Sequence, residues 1–292
     1  MTDPQVLGFI GTGVMGEPMC RNLAAKSGRR ILAWDPSAAP LERLRAEGVA
    51  SAASAADVAG QASTLFLCLP GGAQLRTLCE GDLLGAARPG LTIVDLGTSG
   101  VGLTRELARR FVERGAAYAD APIARTREAA QKATLSITVG ASPEVFARIE
   151  PLLRCVGSDI THCGAVGSGQ VVKILNNMVL FQTVNALAEA LALGRRAGVE
   201  PALLFDALSK GSADSFALRN HGMKAMLPGA FPERAFSVEY AAKDNGYALE
   251  LGRDAGVRLR GAETVAEVLE EARAAGFGSV YYPVIAKIVD RG

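Results

Sequence analysis

Short apolar runs alternate with amphipathic segments from Leu7 to about Cys163. The runs have the length of buried strands, whereas the segments between them repeat apolar residues at the spacing of a helix. Such alternation is typical of an α/β domain built on a doubly wound parallel sheet. The predicted strands are Leu7–Ile10, Ile31–Trp34, Thr64–Leu69, Thr92–Leu96, Ala117–Asp120, Leu135–Val139 and Ile160–Cys163.

Three stretches between these strands predict helices or turns. Leu103–Arg114 has helical apolar spacing, and the alanine-rich stretch Val49–Ala59 predicts a short helix and a turn. Ser142 and Pro143 predict the start of another helix, because serine caps helix N-termini and proline favours the first helical position.

The pattern changes after Gly169, where one apolar stretch runs from Gln170 to Ala197. It predicts a single helix of about 40 Å. Its apolar residues occupy nearly every face, so we expect burial from several sides and contact with another subunit. Further predicted helices, without a convincing strand, are Pro201–Lys210, Val238–Ala255, Ala262–Ala275 and Tyr281–Asp290.

The pattern therefore divides the chain into three parts. Residues 1–163 form the predicted α/β domain, and residues 164–197 form an interdomain helix. Residues 198–292 form an all-α domain that we expect to contribute to substrate binding and to subunit association in a homodimer or homotetramer.

The composition of the 292 residues fits a soluble globular protein, with 49% hydrophobic residues and 31 lysines plus arginines against 30 acidic residues. Because these charges nearly cancel, no overall field recruits nucleic acid or an anionic membrane, and we expect a small-molecule partner. Five cysteines without a C-x-x-C pair indicate a reducing cytoplasm. No basic segment precedes the first apolar run and no apolar stretch reaches about 18 residues, which predicts a cytoplasmic protein outside the membrane.

The first strand leads directly into a G-x-G-x-x-G motif of Gly11, Gly13 and Gly16. Between a strand and a helix, the first glycine permits a sharp turn, the second leaves room for phosphates, and the third allows close helix packing. The helix N-terminus then faces the anion. The motif therefore predicts that residues 1–163 bind a dinucleotide. The candidate residues for its pyrophosphate site are Gly11, Thr12, Gly13, Val14, Met15 and Gly16.

Asp35 ends the second predicted strand, 19 residues after Gly16. A carboxylate there can accept hydrogen bonds from an adenosine ribose 2′-hydroxyl and repel a 2′-phosphate, so it favours NAD over NADP. An aspartate before proline also opens turns, and a solvated turn residue in Asp35-Pro36-Ser37 is the alternative interpretation.

Lys173 and Asn177 lie four residues apart near the start of the long helix and therefore share one face. A lysine among apolar residues can extend its amine to solvent, which is one interpretation. The glycine-rich entry Gly164–Gly169, however, lets a ligand approach closely. We therefore identify Lys173 as a candidate proton donor when a carbonyl is reduced to an alcohol, and as the proton acceptor when the alcohol is oxidised. Asn177 would orient both the lysine and the substrate.

Several blocks, in order along the chain, resemble the β-hydroxyacid dehydrogenases, the family of 3-hydroxyisobutyrate dehydrogenase and tartronate semialdehyde reductase. They extend over nearly the whole sequence and are more specific than the glycine motif alone. The blocks are GFIGTGVMGEPMCRNL from Gly8, Leu69-Pro70, Asp95-Leu96-Gly97-Thr98, Asp120-Ala121-Pro122, Gly164–Asn177 and Phe236–Asp244.

The resemblance implies a Rossmann domain like that of 6-phosphogluconate dehydrogenase, followed by an interdomain helix and an all-α domain. It implies that Lys173 is catalytic, that Lys243 approaches cofactor and substrate, and that Leu69, Pro70 and Thr98 line the path of the cofactor. On sequence alone, Lys243 would be a solvated charge on a helix. Leu69 and Pro70 would form a tight turn after a strand, and Thr98 would be a threonine at a strand end.

Two segments depart from the family pattern. Gly97 and Val101 replace the usual serine and proline, which loosens the loop that carries Thr98. After Asp120-Ala121-Pro122-Ile123, where the family usually has serine and two glycines, this chain has Ala124, Arg125 and Thr126.

A guanidinium at this place can hold an anion through paired hydrogen bonds. Arg125 and Thr126 are therefore candidate anchors for the acid group of the substrate, with Ala124 beside them. An arginine-threonine pair here resembles the branch that reduces sulfolactaldehyde, whose acid group is a sulfonate. A solvated loop arginine is the alternative interpretation.

Other dehydrogenase chemistries lack their residues. No tyrosine is followed four positions later by the lysine of a short-chain dehydrogenase, and His162, His221 and the scattered cysteines suggest no zinc site. An imine reductase and a non-catalytic NAD-binding scaffold are the alternatives. Imine reductases of similar architecture generally replace the lysine that matches Lys173, and the presence of Lys173, Asn177 and Lys243 together argues against a scaffold. The sequence predicts an NAD-dependent oxidoreductase that interconverts a small 3-hydroxy acid, carboxylate or sulfonate, and its aldehyde or semialdehyde.

Overall fold

The structure, a computed structural model, describes residues 6–233 and 235–291. Strands alternate with helices up to Gly164, and helices follow from Ser168, so the predicted α/β class with a helical C-terminal part is confirmed. The strands are β1 (Leu7–Ile10), β2 (Ile31–Trp34), β3 (Ala50–Ser51), β4 (Thr64–Leu67), β5 (Thr92–Asp95), β6 (Ala117–Asp120), β7 (Ile123–Ala124), β8 (Leu135–Gly140) and β9 (Gly157–Gly164).

The helices agree with the predicted ones to within a few residues where the apolar spacing is regular. Two π-helical segments, Cys79–Leu83 and Leu218–Met226, and a 3₁₀ turn, Tyr282–Ile285, accompany them. The α-helices are α1 (Gly16–Lys26), α2 (Ala38–Arg45), α3 (Ala55–Gln61), α4 (Gly72–Leu78), α5 (Val101–Val112), α6 (Arg127–Lys132), α7 (Pro143–Leu153), α8 (Ser168–Arg196), α9 (Pro201–Ser209), α10 (Val238–Asp254), α11 (Arg260–Ala274) and α12 (Ala286–Val289).

The sheet has the strand order β3-β2-β1-β4-β5-β6-β8-β7, with β9 paired to β8. Strands β1 to β6 are parallel, whereas β8 runs antiparallel to β6 and β7. Leu7 pairs with Ile31 on one side and Thr64 on the other, so the strand order reverses at β1. In open parallel sheets, ligands bind at the carboxyl edge beside such a reversal.

Apolar side chains cover both faces of the sheet. Along β4, Phe66 packs with the cluster that contains Met19, whereas Leu65 and Leu67 pack with the opposite cluster, which contains Phe111. This two-sided burial explains why the strands are continuous apolar runs and why helices must lie on each face.

The chain divides into two compact units, one ending at Lys173 and the other beginning at Ile174. In the second unit, α8 contributes Phe181, Val184 and Leu191 to a core that also contains Phe205 and Leu269. Helices α10 and α11 pack on this core, so the second unit is built from helices in the part that the structure describes.

The structure differs from the predicted secondary structure at β3, β7 and residues 281–290, and its helical segment Leu218–Met226 was not predicted. Ala50–Ser51 is an edge strand and not the start of a helix, because its backbone pairs with β2. The short strand β7 was missed and exists through its pairing with β8. The predicted helix Tyr281–Asp290 is a 3₁₀ turn followed by the short α12.

Helix α8 meets the length and mean hydropathy of a membrane-spanning segment, contrary to the expectation that no stretch would. These criteria are also met by core helices, and α8 packs into the core of the second unit. Val172, Leu175 and Val179 on this helix are exposed, so its apolar faces are not all buried within the described chain. The predicted contact with another subunit stays a prediction.

His221 lies among aromatic rings in the second unit. Its Nδ1 is 2.5 Å from the hydroxyl oxygen of Tyr281, and its ring centroid is 5.4 Å from that of Tyr282. Burial lowers the pKa of His221 to about 4, because a charged imidazolium would lose its hydration here. The neutral ring is therefore the stable form in the folded protein.

We expect this histidine to make the protein acid-sensitive. Between pH 6.5 and 4 the unfolded chain binds a proton that the folded chain does not, so stability is lost as the pH falls. The loss should reach about 3 kcal/mol. Urea unfolding at pH 7 and pH 4 should show that His221→Gln removes this part of the pH dependence and that His162→Gln, at an exposed ring, does not. Equal pH dependence in wild type and His221→Gln would contradict the assignment.

Candidate active site

The three motif glycines occupy three different environments. Gly11 has φ +90°, and a Cβ atom there would lie 2.3 Å from the carbonyl oxygen of Cys68. A Cβ atom at Gly16 would lie 1.8 Å from the carbonyl oxygen of Gly11, so only glycine lets α1 begin this close to the loop. At Gly13, no atom lies within 4 Å of the Cβ position. This open side of the loop fits an approaching pyrophosphate.

The residues between the glycines differ in burial. Thr12 is fully buried and Met15 packs against the core, whereas Val14 is 54% exposed. Residues 13 and 14 therefore form the exposed crest of the loop. A dinucleotide that followed the loop would contact the backbone at this crest and leave Thr12 and Met15 in structural positions.

Asp35 connects the end of β2 to the glycine loop. One carboxylate oxygen accepts a hydrogen bond of 2.6 Å from the backbone N–H of Thr12, and the other accepts one of 2.8 Å from Ser37. The Ser37 contact is the predicted turn, and the Thr12 contact places the carboxylate at the carboxyl edge of β1 and β2. The two interpretations of Asp35 from the sequence are thus compatible with each other.

Leu69 and Thr98 come together at the carboxyl ends of β4 and β5, where they line one shallow concavity with Gly97 and Ser99. Pro70 follows Leu69 directly and is exposed. Leu69 and Pro70, from one sequence block, and Thr98, from another, therefore lie at the same edge of the sheet, and their contact with a cofactor stays a prediction.

A buried polar network ties this edge to the start of α8. The side-chain amide of Gln170 donates to the carbonyl oxygen of Gly97 at 2.8 Å and accepts from the backbone N–H of Ser99 at 3.2 Å. Asp95 accepts from Gly97 at 3.0 Å, and burial raises the pKa of Asp95 to about 7. The loop that carries Thr98 is therefore held at both ends.

Asp120 anchors the first turn of α8 to the sheet. Its fully buried carboxylate accepts hydrogen bonds from the backbone N–H groups of Gly167 at 2.7 Å and Gln170 at 2.8 Å. Cβ atoms at Gly140 and Gly169 would lie 2.4 and 2.8 Å from its oxygens, so both positions must lack a side chain. Burial raises the pKa of Asp120 to about 6, although these N–H donors favour the charged form.

Asp95, Asp120 and Gln170 were not predicted as site residues. Asp95 and Asp120 are paired neighbours at the ends of β5 and β6. The signal that could have found them is an acidic residue at the end of each of two predicted buried strands, a position where a carboxylate needs partners. Gln170 carries no comparable signal.

Lys173 lies one turn after this anchor and is half-buried, and Asn177 follows on the same face with 3% exposure. The Asn177 amide nitrogen donates to Asp244 at 2.8 Å. Lys243 forms an ion pair of 2.9 Å with Asp244 and lies 5.3 Å from the ring centroid of Tyr247. Asn177 and Lys243, predicted from separate blocks, are thus connected by one aspartate that the sequence analysis did not select.

The guanidinium of Arg125 turns toward the start of β9. Its Nη1 lies 2.8 Å from the carboxylate of Asp159, 3.0 Å from the hydroxyl of Ser158 and 2.6 Å from the carbonyl oxygen of Thr134. The residue has φ +86°, a value typical of glycine and strained for arginine. The chain therefore keeps a glycine-like backbone here and places a charged side chain on it.

The neighbours of Arg125 have local roles. Ala124 pairs with Ser136 in the sheet, and the hydroxyl of Thr126 accepts from the backbone N–H of Ala129, which caps α6. Along β8, Ser136 lies four residues from Gly140, or about 13 Å. The Arg125 guanidinium thus contacts the opposite end of β8 from the Asp120 anchor.

The histidines have structural contacts. His162 bonds to the carbonyl oxygen of Ala141 at 2.9 Å and stacks on Phe146, whereas His221 is buried against the ring of Tyr282. Among residues 6–233 and 235–291, no three histidine, cysteine, aspartate or glutamate side chains group as metal ligands.

Two family models match the chain. One, described as the NAD binding domain of 6-phosphogluconate dehydrogenase, matches residues 6–164. The other, described as NAD-binding of NADP-dependent 3-hydroxyisobutyrate dehydrogenase, matches residues 167–281. The glycine loop, Asp35 and the Asp120 anchor all lie within the first match.

Individual dehydrogenases and reductases are similar to this chain over nearly its whole length. The chain is 34% identical to 2-(hydroxymethyl)glutarate dehydrogenase of Eubacterium barkeri over 97% of this chain and 94% of that protein. It is 31% identical to 2-hydroxy-3-oxopropionate reductase of Escherichia coli K12 over 97% of each. The structure of Mycobacterium tuberculosis 3-hydroxyisobutyrate dehydrogenase with L-serine matches with a TM-score of 0.89 and 27% identity, over 98% of this chain and 99% of that chain.

The open side of Gly13 gives a direct test of the pyrophosphate site. We expect Gly13→Ala to leave the melting temperature unchanged, because its Cβ meets no atom, and to weaken NADH binding about ten-fold by occupying space that the phosphates need. Gly60→Ala, at a position equally open in α3, is the control and should bind NADH as the wild type does. Fluorescence titration measures both affinities, and an unchanged affinity in Gly13→Ala would exclude this loop.

Proposed function

The chain belongs to the β-hydroxyacid dehydrogenase family of NAD(P)-dependent oxidoreductases that act on CH–OH groups, and we propose that it interconverts a small 3-hydroxy acid and its semialdehyde with NAD. The observation that carries this proposal is the placement of Lys173 one turn after the Asp120 anchor, on a helix tied to the cofactor edge of the sheet. The family membership supports the reaction class.

The substrate class follows from what the names of the relatives have in common. 2-(Hydroxymethyl)glutarate and 3-hydroxyisobutyrate each contain a primary alcohol on the carbon next to the one that bears the carboxylate. 2-Hydroxy-3-oxopropionate is the corresponding aldehyde form, and L-serine has the same HOCH₂–CH–COO⁻ core. We propose this core as the part of the substrate that the present chain binds.

In the proposed mechanism, Lys173 handles the proton. When bound, the nicotinamide supplies the hydride that reduces the carbonyl carbon. Lys173 donates a proton from Nζ to the carbonyl oxygen as the alcohol forms, and its charge stabilises the negative charge that develops on that oxygen. In oxidation, the neutral amine takes the proton from the hydroxyl group. Asn177 orients the lysine and the substrate from the same helix face.

The cofactor positions follow the sheet edge. The loop Gly11–Gly16 takes the pyrophosphate, and Leu69, Pro70 and Thr98 line the path of the dinucleotide, with Lys243 approaching it. Asp35 supports the choice of NAD, because its carboxylate at the end of β2 would repel a 2′-phosphate. Its bond to Thr12 gives the loop a fixed position relative to this carboxylate.

Arg125 and Thr126, beside Ala124, are the proposed anchors for the acid group, whether carboxylate or sulfonate. In the described conformation the guanidinium is engaged by Asp159 at the end of β8 opposite the Asp120 anchor, so anchoring the acid group near Lys173 requires Arg125 to leave Asp159 and adopt another rotamer. The pair is exposed, and exposed ion pairs contribute little to stability, so such an exchange is inexpensive. The protein is proposed to act in the cytoplasm as a homodimer or homotetramer.

Lys173 is tested with a panel of 3-hydroxy acids, hydroxysulfonates and semialdehydes, following absorbance of NADH. We expect turnover by the wild type and a loss of kcat of at least about a hundred-fold in Lys173→Ala, since positioned proton transfer contributes on this scale. NADH affinity should be unchanged in the variant, and Lys224→Ala, at an exposed lysine, is the control. NADH binding without turnover of any candidate would support a scaffold and refute the proposed reaction.

Arg125→Gly tests the anion anchor without straining the backbone, because φ +86° suits glycine. We expect an unchanged or higher melting temperature and a KM for the substrate raised about ten-fold, the change expected when a charged hydrogen bond is lost. Arg127→Ala, at the exposed neighbouring arginine, is the control. If KM does not change in Arg125→Gly, the guanidinium serves only its contacts with β9.

A further inference from the structure

A buried aspartate joins two of the proposed site residues in the second unit. Asp244 on α10 is 2% exposed and Asn177 on α8 is 3% exposed. One Asp244 oxygen accepts the Asn177 amide at 2.8 Å, and the other lies 2.9 Å from the ammonium of Lys243. Neither the blocks of the sequence nor the proposed mechanism assigns a role to this carboxylate.

The chemistry of a carboxylate fixes the orientation of the Asn177 amide. An ionised carboxylate only accepts hydrogen bonds, so Asn177 must present its NH₂ group to Asp244. The carbonyl oxygen of Asn177 then points away from Asp244. This oxygen accepts one hydrogen bond of 3.1 Å from the Asn176 amide. Because a carbonyl oxygen has two lone pairs, it can accept a second hydrogen bond from a reacting group.

Asp244 also restricts Lys243. The ammonium lies 5.5 Å from the ring centroid of Tyr240 and 5.3 Å from that of Tyr247, within the range of cation–π attraction. Together with the ion pair, these rings limit the positions of a side chain that would otherwise have many rotamers.

We propose that Asp244 is a positioning residue: by taking the NH₂ group of Asn177, it leaves the carbonyl oxygen of Asn177 as the acceptor for the proton-bearing group in the reaction. This inference rests on the proposed function of Lys173 and Asn177. An Asn177 held in this way orients an ammonium or a substrate hydroxyl through its oxygen and does not donate to the substrate.

The proposal is tested by exchanging the two side chains. In Asp244→Asn, either the oxygen or the NH₂ of residue 244 can face Asn177, so the orientation is no longer fixed. Asn177→Asp places two carboxylates against each other in a buried site. The double variant restores one donor and one acceptor, and it again leaves an oxygen at position 177 for the reacting groups. Asp254→Asn, exposed at the end of the same helix, is the control.

We expect Asp244→Asn to lower kcat about ten-fold, as for loss of a charged hydrogen bond, with little change in the KM for NADH because Lys243 keeps its charge. The double variant should be more stable to urea than Asn177→Asp alone and should have a higher kcat than either single variant. Wild-type kcat in Asp244→Asn, or a double variant no better than the single ones, would overturn the inference.

The same set separates this inference from the proposed function. If the wild type turns over none of the candidate substrates, the proposed function fails, and the catalytic role of Asp244 fails with it. If the wild type is active and Asp244→Asn is equally active, only the role of Asp244 is refuted. The urea data report whether residues 177 and 244 form a coupled pair in either case.

Discussion

The buried carboxylate of Asp120 is the contact on which the arrangement of the candidate site depends. It receives two backbone N–H groups at the start of α8, and Gly140 and Gly169 provide the space that it needs. Because the helix is rigid, fixing its first turn also fixes the position of Lys173 one turn later. The role proposed for Lys173 requires such support, since long side chains are imprecise unless their element is held.

The buried position of the Asp120 anchor disfavours the ionised form of its carboxyl group. Burial raises the pKa of both Asp120 and Asp95, so each carboxylate is more costly to ionise in the folded chain than in the unfolded chain. Their native pKa values are raised, so their protonated forms stabilise the fold at low pH, and that contribution is lost as the pH rises toward 6 and 7. Backbone N–H donors at both carboxylates, and the Ser99 hydroxyl at Asp95, offset part of this penalty. Carboxyl groups whose pKa values are shifted by burial are often found at functional sites.

The segments that match the family bear on the reaction class, whereas the segment that departs from it at Arg125 bears on the acid group of the substrate. Lys173, Asn177 and Lys243 lie in segments that resemble the family and support its reaction class. Arg125 stands on a glycine-like backbone and contacts Asp159, so the difference at this place is in the side chain and not in the path of the chain. If Arg125 anchors the acid group as proposed, the identity of that group depends on residues that the reaction class does not specify.

The sequence by itself determined the α/β class, the strands with continuous apolar runs, the glycine loop and the long helix, because these features depend on local periodicity and on the steric freedom of glycine. It did not determine β3 and β7, which exist only through pairing with β2 and β8. Nor did it identify Asp120 as an anchor, Asp244 as the partner of Asn177, or the contact between Arg125 and Asp159. Those depend on groups far apart in the chain that meet only when the backbone is folded, so tertiary structure alone decided them.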